Sequence, residues 1–293
     1  MELLDGKLIS AILKKKLAKE TRLFIEAGGK RPHLVAILVG HTAASEVYVA
    51  SKMRSCEETG FKSTLIRFEE TVSEAELLST IDTVNSDTDV DGILVQLPLP
   101  GHISVEKVTW KISPEKDVDC FHPMNIGRMA KNLPCYLPAT PLGILKLLEA
   151  YKIETEGKHC VVLGRSYIVG SPVSILMARA AYPGNCTVTL CHSKTKHMDD
   201  IIRSADILIA AIGKPQFVRD TMVKQGVVVI DVGMNRIADS TTKSGTRLVG
   251  DVDFAGVAPK SSFITPVPGG VGLMTIVGLL QNTFSAAKKE IYG

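Results

Sequence analysis

Apolar residues recur at helical spacing from Lys7 to Ala27, at Ile9, Ile12, Leu13, Leu17 and Phe24, and the pattern stops at Gly28 and Gly29. This predicts an amphipathic helix ended by glycine. Three short β-rich runs follow, Leu34 to Val39, Ser63 to Phe68 and Gly92 to Gln96. Helical stretches separate them, one ending near Gly60 and the next opening at the Ser73/Glu76 capping box. Alternation of strand and helix implies a parallel α/β sheet.

A second alternation begins near Cys160, with strands expected at Cys160 to Leu163, Thr187 to Leu190, Asp206 to Ala210 and Val227 to Asp231. It reads as an independent doubly wound unit, Rossmann-like in plan. Between the two blocks, Thr140 to Tyr151 forms a helical pattern with Pro141 in its first turn. A closing helix, Gly272 to Ile291, is expected to pack back on the first block. The polar stretch from Ala238 to Thr246 is expected to be strandless and the least ordered part of the chain. The 293 residues suit two domains at roughly 150 residues each. The expected division is 1–139 plus 272–293 for one and 140–271 for the other.

Composition mainly excludes. A net charge of +3, with both signs mixed along the chain, argues against nucleic acid or an anionic membrane as partner. Six cysteines without a CxxC pair, and no export-like start, point to reduced thiols in the cytoplasm. The seven histidines lack metal spacing, so no metal is expected, and no apolar run approaches the ~20 residues of a membrane span.

Two constellations carry chemistry. The run VVLGRSYIVGSP, Val161 to Pro172, passes from an apolar strand through a glycine-bounded turn toward a helix, so its N–H groups can face phosphate. Gly164 permits a tight turn, Ser166 adds a hydroxyl, and Gly170 allows close approach of helix and strand. The turn lacks the GxGxxG fingerprint, and Ile168 occupies the position where a serine-hydrolase elbow needs its second glycine. One strand later stand Cys191, His192, Ser193 and Lys194 in place of the acidic residue that marks an NAD ribose site. Hydroxyl and cationic groups there, with Arg165 in reach, favour the 2′-phosphate of NADP. Two further strands end in glycine-containing turns, AIGKP at 211–215 and DVGMN at 231–235.

In the first block, Tyr48 and Lys52 lie four residues apart in SEVYVASK and share a helix face. A lysine in a partly desolvated cleft can shuttle protons near neutral pH, with tyrosine positioning it. Gln96 ends the third strand at QLPLP, where an amide can donate and accept at the ligand edge of a sheet. In PEKDVDCFHP, Asp117 and Asp119 are expected to turn the same way, and one carboxylate could bind the amino-pyrimidine edge of a pterin through paired hydrogen bonds.

These pieces, with PATPLGILKLL and SFITPVPGGVG, occur in an order that resembles the methylenetetrahydrofolate dehydrogenase/cyclohydrolase family across essentially the whole chain. The resemblance implies NADP-dependent oxidation of 5,10-methylenetetrahydrofolate, then hydrolysis of the methenyl product, by a homodimer. It assigns hydrolytic proton chemistry to Lys52, folate stacking to Tyr48, tuning of Lys52 to Gln96, and the pterin edge to Asp119. It places Leu97, Pro98, Pro268, Gly269 and Gly270 beside the folate, and Gly164, Arg165, Ser166, Ser193, Ile212 and Val232 beside NADP. A dehydrogenase with weak or no hydrolase activity and a non-catalytic NADP-binding protein are the alternatives. Two positions depart from the family pattern. Cys120 replaces the glycine after the pterin-binding aspartate, and Leu273 replaces a proline in the closing loop. A left-handed backbone at Cys120 would make its side chain costly.

Overall fold

The computed structural model describes residues 1–242 and 245–292. Its elements begin with β1 (Glu2–Leu3), α1 (Gly6–Glu26), β2 (His33–Val39), α2 (Ala43–Glu58), β3 (Lys62–Phe68), α3 (Glu74–Ser86), β4 (Gly92–Val95), α4 (Val105–Lys111), α5 (Pro123–Ala130) and α6 (Ala139–Ala150). They continue with β5 (His159–Leu163), α7 (Gly170–Ala178), β6 (Thr187–Cys191), α8 (Met198–Ser204), β7 (Ile207–Ala210), β8 (Val227–Asp231), β9 (Asn235–Ala238), β10 (Thr246–Val249), α9 (Phe254–Val257), β11 (Ser261–Ile264) and α10 (Val271–Ala287). Two compact units result. One comprises Ala11–Ala139 with Ile276–Gly293, and the other Met1–Ser10 with Thr140–Thr275.

The first of these is built on a parallel sheet of order β3-β2-β4. The central strand β2 is buried along its whole length, so its alternating side chains serve two cores. Leu34, Ala36 and Leu38 join one core with Leu17, Val49, Cys56, Leu279 and Phe284. Val35, Ile37 and Val39 join another with Leu77, Ile81 and Val108. The capping box forms as the sequence predicts, with the Ser73 hydroxyl accepting from Glu76 N at 3.2 Å. Helix α1 buries Leu17 and Thr21 but leaves Ile12 54% exposed, so Ile12 falls outside the packed stripe that its apolar character suggested.

The second unit holds a six-stranded sheet of order β1-β11-β8-β7-β5-β6, parallel at every pairing. From β5 the chain moves outward to β6 and then crosses to β7 on the other side. The carboxyl ends of β5 and β7 therefore flank the topological switch point, where doubly wound sheets bind ligands. Strands β1 and β11 were not marked by any periodic signal. Two residues of β1 pair with Phe263 and Ile264, which draws the chain's first ten residues into this unit and away from the block that follows them in sequence.

The expectation of a strandless 238–246 holds for the described interior of that stretch but not for its two ends. Ala238 closes β9, Thr246 opens β10, and the two pair in an antiparallel hairpin. Within that stretch, Lys243 and Ser244 lie outside the described residues. No described helix is long and apolar enough to cross a membrane.

Candidate functional site

Helix α2 explains why a lysine lies inside the protein. Ser45, Val49, Lys52, Cys56 and Thr59 follow at helical spacing and are all buried, so the phase that packs Val49 and Cys56 into the core carries Lys52 with them. Lys52 is only 4% exposed. Its Nζ donates to Gln96 Oε1 at 3.0 Å and lies 4.5 Å from the centroid of the Tyr48 ring. Gln96 is itself oriented, because its Nε2 donates to the Leu97 carbonyl at 2.7 Å and so presents the oxygen to Lys52. The Leu97–Pro98 peptide that follows is cis.

Burial lowers the Lys52 pKa, opposed by the negative charge of Asp119. Burial raises that of Asp119, opposed by Lys52. Desolvation is the larger effect at both groups, so each is pushed toward its neutral form despite their attraction. One turn further along α2, burial pushes the Cys56 thiol up to about 12, which leaves it a packing residue without nucleophilic character.

Asp117 and Asp119 do not turn the same way, contrary to the expectation from alternation: Asp117 is tied into its own loop, whereas Asp119 is the carboxylate whose charge reaches Lys52. Asp117 is held inside its own loop, accepting from Phe121 N at 3.0 Å, His122 N at 2.9 Å and Asn125 Nδ2 at 2.9 Å. Its pKa is raised to about 7 by burial, with those hydrogen bonds opposing. The turn it closes carries Asp119. Cys120 adopts φ +59°, the left-handed conformation, and its Sγ donates to the Tyr136 carbonyl at 3.0 Å. The side chain is therefore accommodated at a position that favours glycine. A residue that sequence reasoning missed supports the same turn. Asn282 on α10 donates to the carbonyls of Val118 and Leu137 at 2.7 and 2.8 Å, and its signal was an amide pair, Gln281 and Asn282, in an apolar helix.

The glycine turn lies in the other unit and is made of backbone. Gly164 has φ +105°, and a Cβ there would stand 2.1 Å from the Ala211 carbonyl oxygen. A Cβ on Gly170 would stand 1.9 Å from the Gly164 carbonyl oxygen, so both positions exclude a side chain. Between them Arg165, Ser166, Tyr167 and Ile168 are exposed. Ser166 Oγ accepts from Val169 N at 3.2 Å and Gly170 N at 3.4 Å, where the turn runs into α7.

The strand ladders bring the other candidates to the same edge. Gly164 N donates to the Cys191 carbonyl, Ala211 N to Leu163, and Val232 N to Ala210. Ser193 and Ile212 therefore follow strand ends that flank Gly164. Pro268, Gly269 and Gly270 also belong to this unit, with Gly269 accepting from Lys7 N at 2.9 Å. They are not in the unit of Lys52, Tyr48, Gln96 and Asp119. Leu273 is the third residue of α10, which forms without the family's proline. Among the described residues, no group of three or more His, Cys, Asp or Glu side chains is placed to hold a metal.

These features fit a dinucleotide. The Gly164 turn offers a cradle that a side chain would fill, and His192, Ser193 and Lys194 after β6 include no carboxylate to repel an additional phosphate.

Comparison with known proteins agrees with both halves of the chain. Residues 4–119 match the catalytic domain of tetrahydrofolate dehydrogenase/cyclohydrolase, and residues 138–291 match the NAD(P)-binding domain of the same family. The bifunctional protein FolD of Phocaeicola vulgatus is 59% identical over 292 residues, covering all of both chains. The crystal structure of the bifunctional FolD from Campylobacter jejuni is similar with a TM-score of 0.92 at 47% identity, covering 99% of each chain. The Trypanosoma brucei dehydrogenase-cyclohydrolase, solved with NADP and an inhibitor, has a TM-score of 0.92 at 36% identity, covering 99% of this chain and 98% of its own. A buried, amide-held lysine and a glycine-built turn, in a chain matched along nearly its whole length, place this protein in the tetrahydrofolate dehydrogenase/cyclohydrolase family.

Proposed function

We propose that this chain oxidises 5,10-methylenetetrahydrofolate to 5,10-methenyltetrahydrofolate with NADP and hydrolyses that product to 10-formyltetrahydrofolate. The buried amine of Lys52, held by the Gln96 amide oxygen, carries this assignment. Hydrolysis requires a water to lose a proton as it adds to the cationic methenyl carbon. An amine whose pKa is lowered by burial is neutral more often than a free lysine and takes that proton. Opening of the adduct moves the remaining hydroxyl proton to the released ring nitrogen, and one proton leaves to solvent. Gln96 restricts the direction of the amine, and the negative charge of Asp119 limits how far its pKa falls.

Tyr48 is assigned to stack against and orient the folate, Asp119 to accept from the pterin edge, and Leu97, Pro98, Pro268, Gly269 and Gly270 to border the substrate. Gly164, Arg165, Ser166, Ser193, Ile212 and Val232 would hold NADP, which when bound accepts the hydride. The unit containing Lys52 is then the folate and catalytic domain, and the unit containing Gly164 the NADP domain. The protein is expected to work in the cytoplasm as a homodimer.

A two-product assay tests the proposal. Purified protein mixed with methylenetetrahydrofolate and NADP should form NADPH and the 10-formyl product together, and NAD should support less turnover. NADPH formation without hydrolysis would leave only the dehydrogenase, and neither product would sink the proposal.

A further inference from the structure

At the ligand edge of the six-stranded sheet lies a fully buried carboxylate that no sequence motif singled out. Asp251 is 0% exposed and takes part in no ion pair among the described residues. Its compensation is entirely N–H groups. Oδ2 accepts from Ile212 N at 2.7 Å and Gly213 N at 3.0 Å, while Oδ1 accepts from Lys214 N at 2.9 Å and Asn235 Nδ2 at 2.9 Å. Three consecutive backbone amides of the turn after β7 thus converge on one side chain, which fixes that turn as a helix N-terminus fixes an anion.

A second carboxylate supports the first. Asp231 closes β8, and its Oδ1 accepts from Gly233 N and Asp251 N at 2.9 Å each, while Oδ2 accepts from Val252 N at 3.0 Å. Glycines permit the approach. A Cβ on Gly233 would stand 2.4 Å from Asp251 Oδ1, and one on Gly250 would stand 1.8 Å from Asp231 Oδ2. The turns after β7 and β8 are therefore tied to each other through two side chains.

In a doubly wound sheet, the first βα turn takes the pyrophosphate and the end of the second strand takes the adenosine ribose. Here those are the Gly164 turn and the segment after β6. The other half of the cofactor then falls toward the ends of β7 and β8, the two turns that Asp251 and Asp231 hold together. We infer that Asp251 is a positioning residue that presents the Ile212–Lys214 and Val232–Gly233 turns to the nicotinamide half of the dinucleotide; this rests on the NADP assignment above.

The substitution Asp251→Asn would leave an amide NH₂ facing two N–H donors whichever way it turned, so the turn must move. The test compares whole NADP with adenosine 2′,5′-bisphosphate, which lacks the nicotinamide half, by calorimetric titration of the intact protein and the Asp251→Asn variant. Weakening of NADP binding by at least about tenfold, with bisphosphate affinity held within about twofold, supports the inference. The KM for NADP should rise while that for the folate substrate holds. Equal weakening of both ligands, or of neither, overturns it. Should Asp251→Asn not fold, Asn235→Ala removes one of the four donors and leaves the carboxylate in place; it should weaken NADP by about threefold and spare the bisphosphate, and unchanged NADP binding would overturn the inference. Failure of the unaltered chain to bind NADP at all would instead remove the assignment on which the inference rests.

Discussion

The Lys52 site and the Gly164 turn solve opposite problems. At Lys52 the chemistry-bearing elements are side chains, and burial shifts their pKa values toward the neutral forms. At Gly164 the active element is backbone, and what matters is the absence of a side chain where the Ala211 carbonyl passes. One region depends on desolvation and the other on shape. Substitutions should therefore fail differently in the two, in proton transfer at the first and in cofactor affinity at the second.

The largest expected effect separates these functions. Lys52→Met should lower the hydrolysis of methenyltetrahydrofolate by about 10²–10⁴-fold, with NADPH production falling far less, when the two steps are assayed separately. Comparable hydrolysis by the variant would remove the proton role from Lys52.

Next, Gly164→Ala should weaken NADP binding by about 2–3 kcal/mol, roughly 30–150-fold, because φ +105° and the 2.1 Å approach to Ala211 O both oppose a Cβ. Hydrolysis of preformed methenyltetrahydrofolate should change much less. Equal loss of both activities would mean that shape at the turn is not a local matter.

The pH profile sharpens the comparison. Neutral Lys52 is the form that accepts a proton, so the hydrolytic kcat should fall as pH drops through a midpoint below the usual lysine range. Asp119 raises the Lys52 pKa, so Asp119→Asn should move that midpoint to lower pH. A midpoint that stays fixed or moves upward would show that Asp119 does not act on Lys52 electrostatically. The smallest effect is expected for Cys120→Gly. Relief of the left-handed backbone, about 1 kcal/mol, is offset by loss of the buried thiol and its contact with Tyr136 O, so thermal unfolding should shift little in either direction.

Much of the fold was legible because periodicity is local. The continuous apolar runs of β2 and β5, the Ser73 cap and the glycine stop of α1 each follow from residues within a few positions of one another. Legibility failed where pairing supplied what short segments lacked. Strand β1 has two residues and exists because β11 offers it an edge, and β9 and β10 are four-residue strands that flank a polar stretch and define each other by pairing. Within the site, the spacing of Tyr48 and Lys52 was readable, whereas the divergence of Asp117 and Asp119 was not. Alternation assumes an extended strand, and the loop folds back so that Asp117 accepts from residues four, five and eight positions later. Asp251 was passed over for a related reason. A single acid between Gly250 and Val252 has no motif, and its four donors come from the turn after β7 and the first residue of β9.

By itself the sequence determined the two α/β alternations, the glycines that certain backbone conformations require, and the helical phase that aligns Lys52 with Val49 and Cys56. Only the tertiary structure decided that this stripe is dry and that Gln96, 44 residues away, faces the amine. The physical reason is that helical phase and turn conformation arise between near neighbours along the chain. Loss of water around a charge arises from everything packed against it.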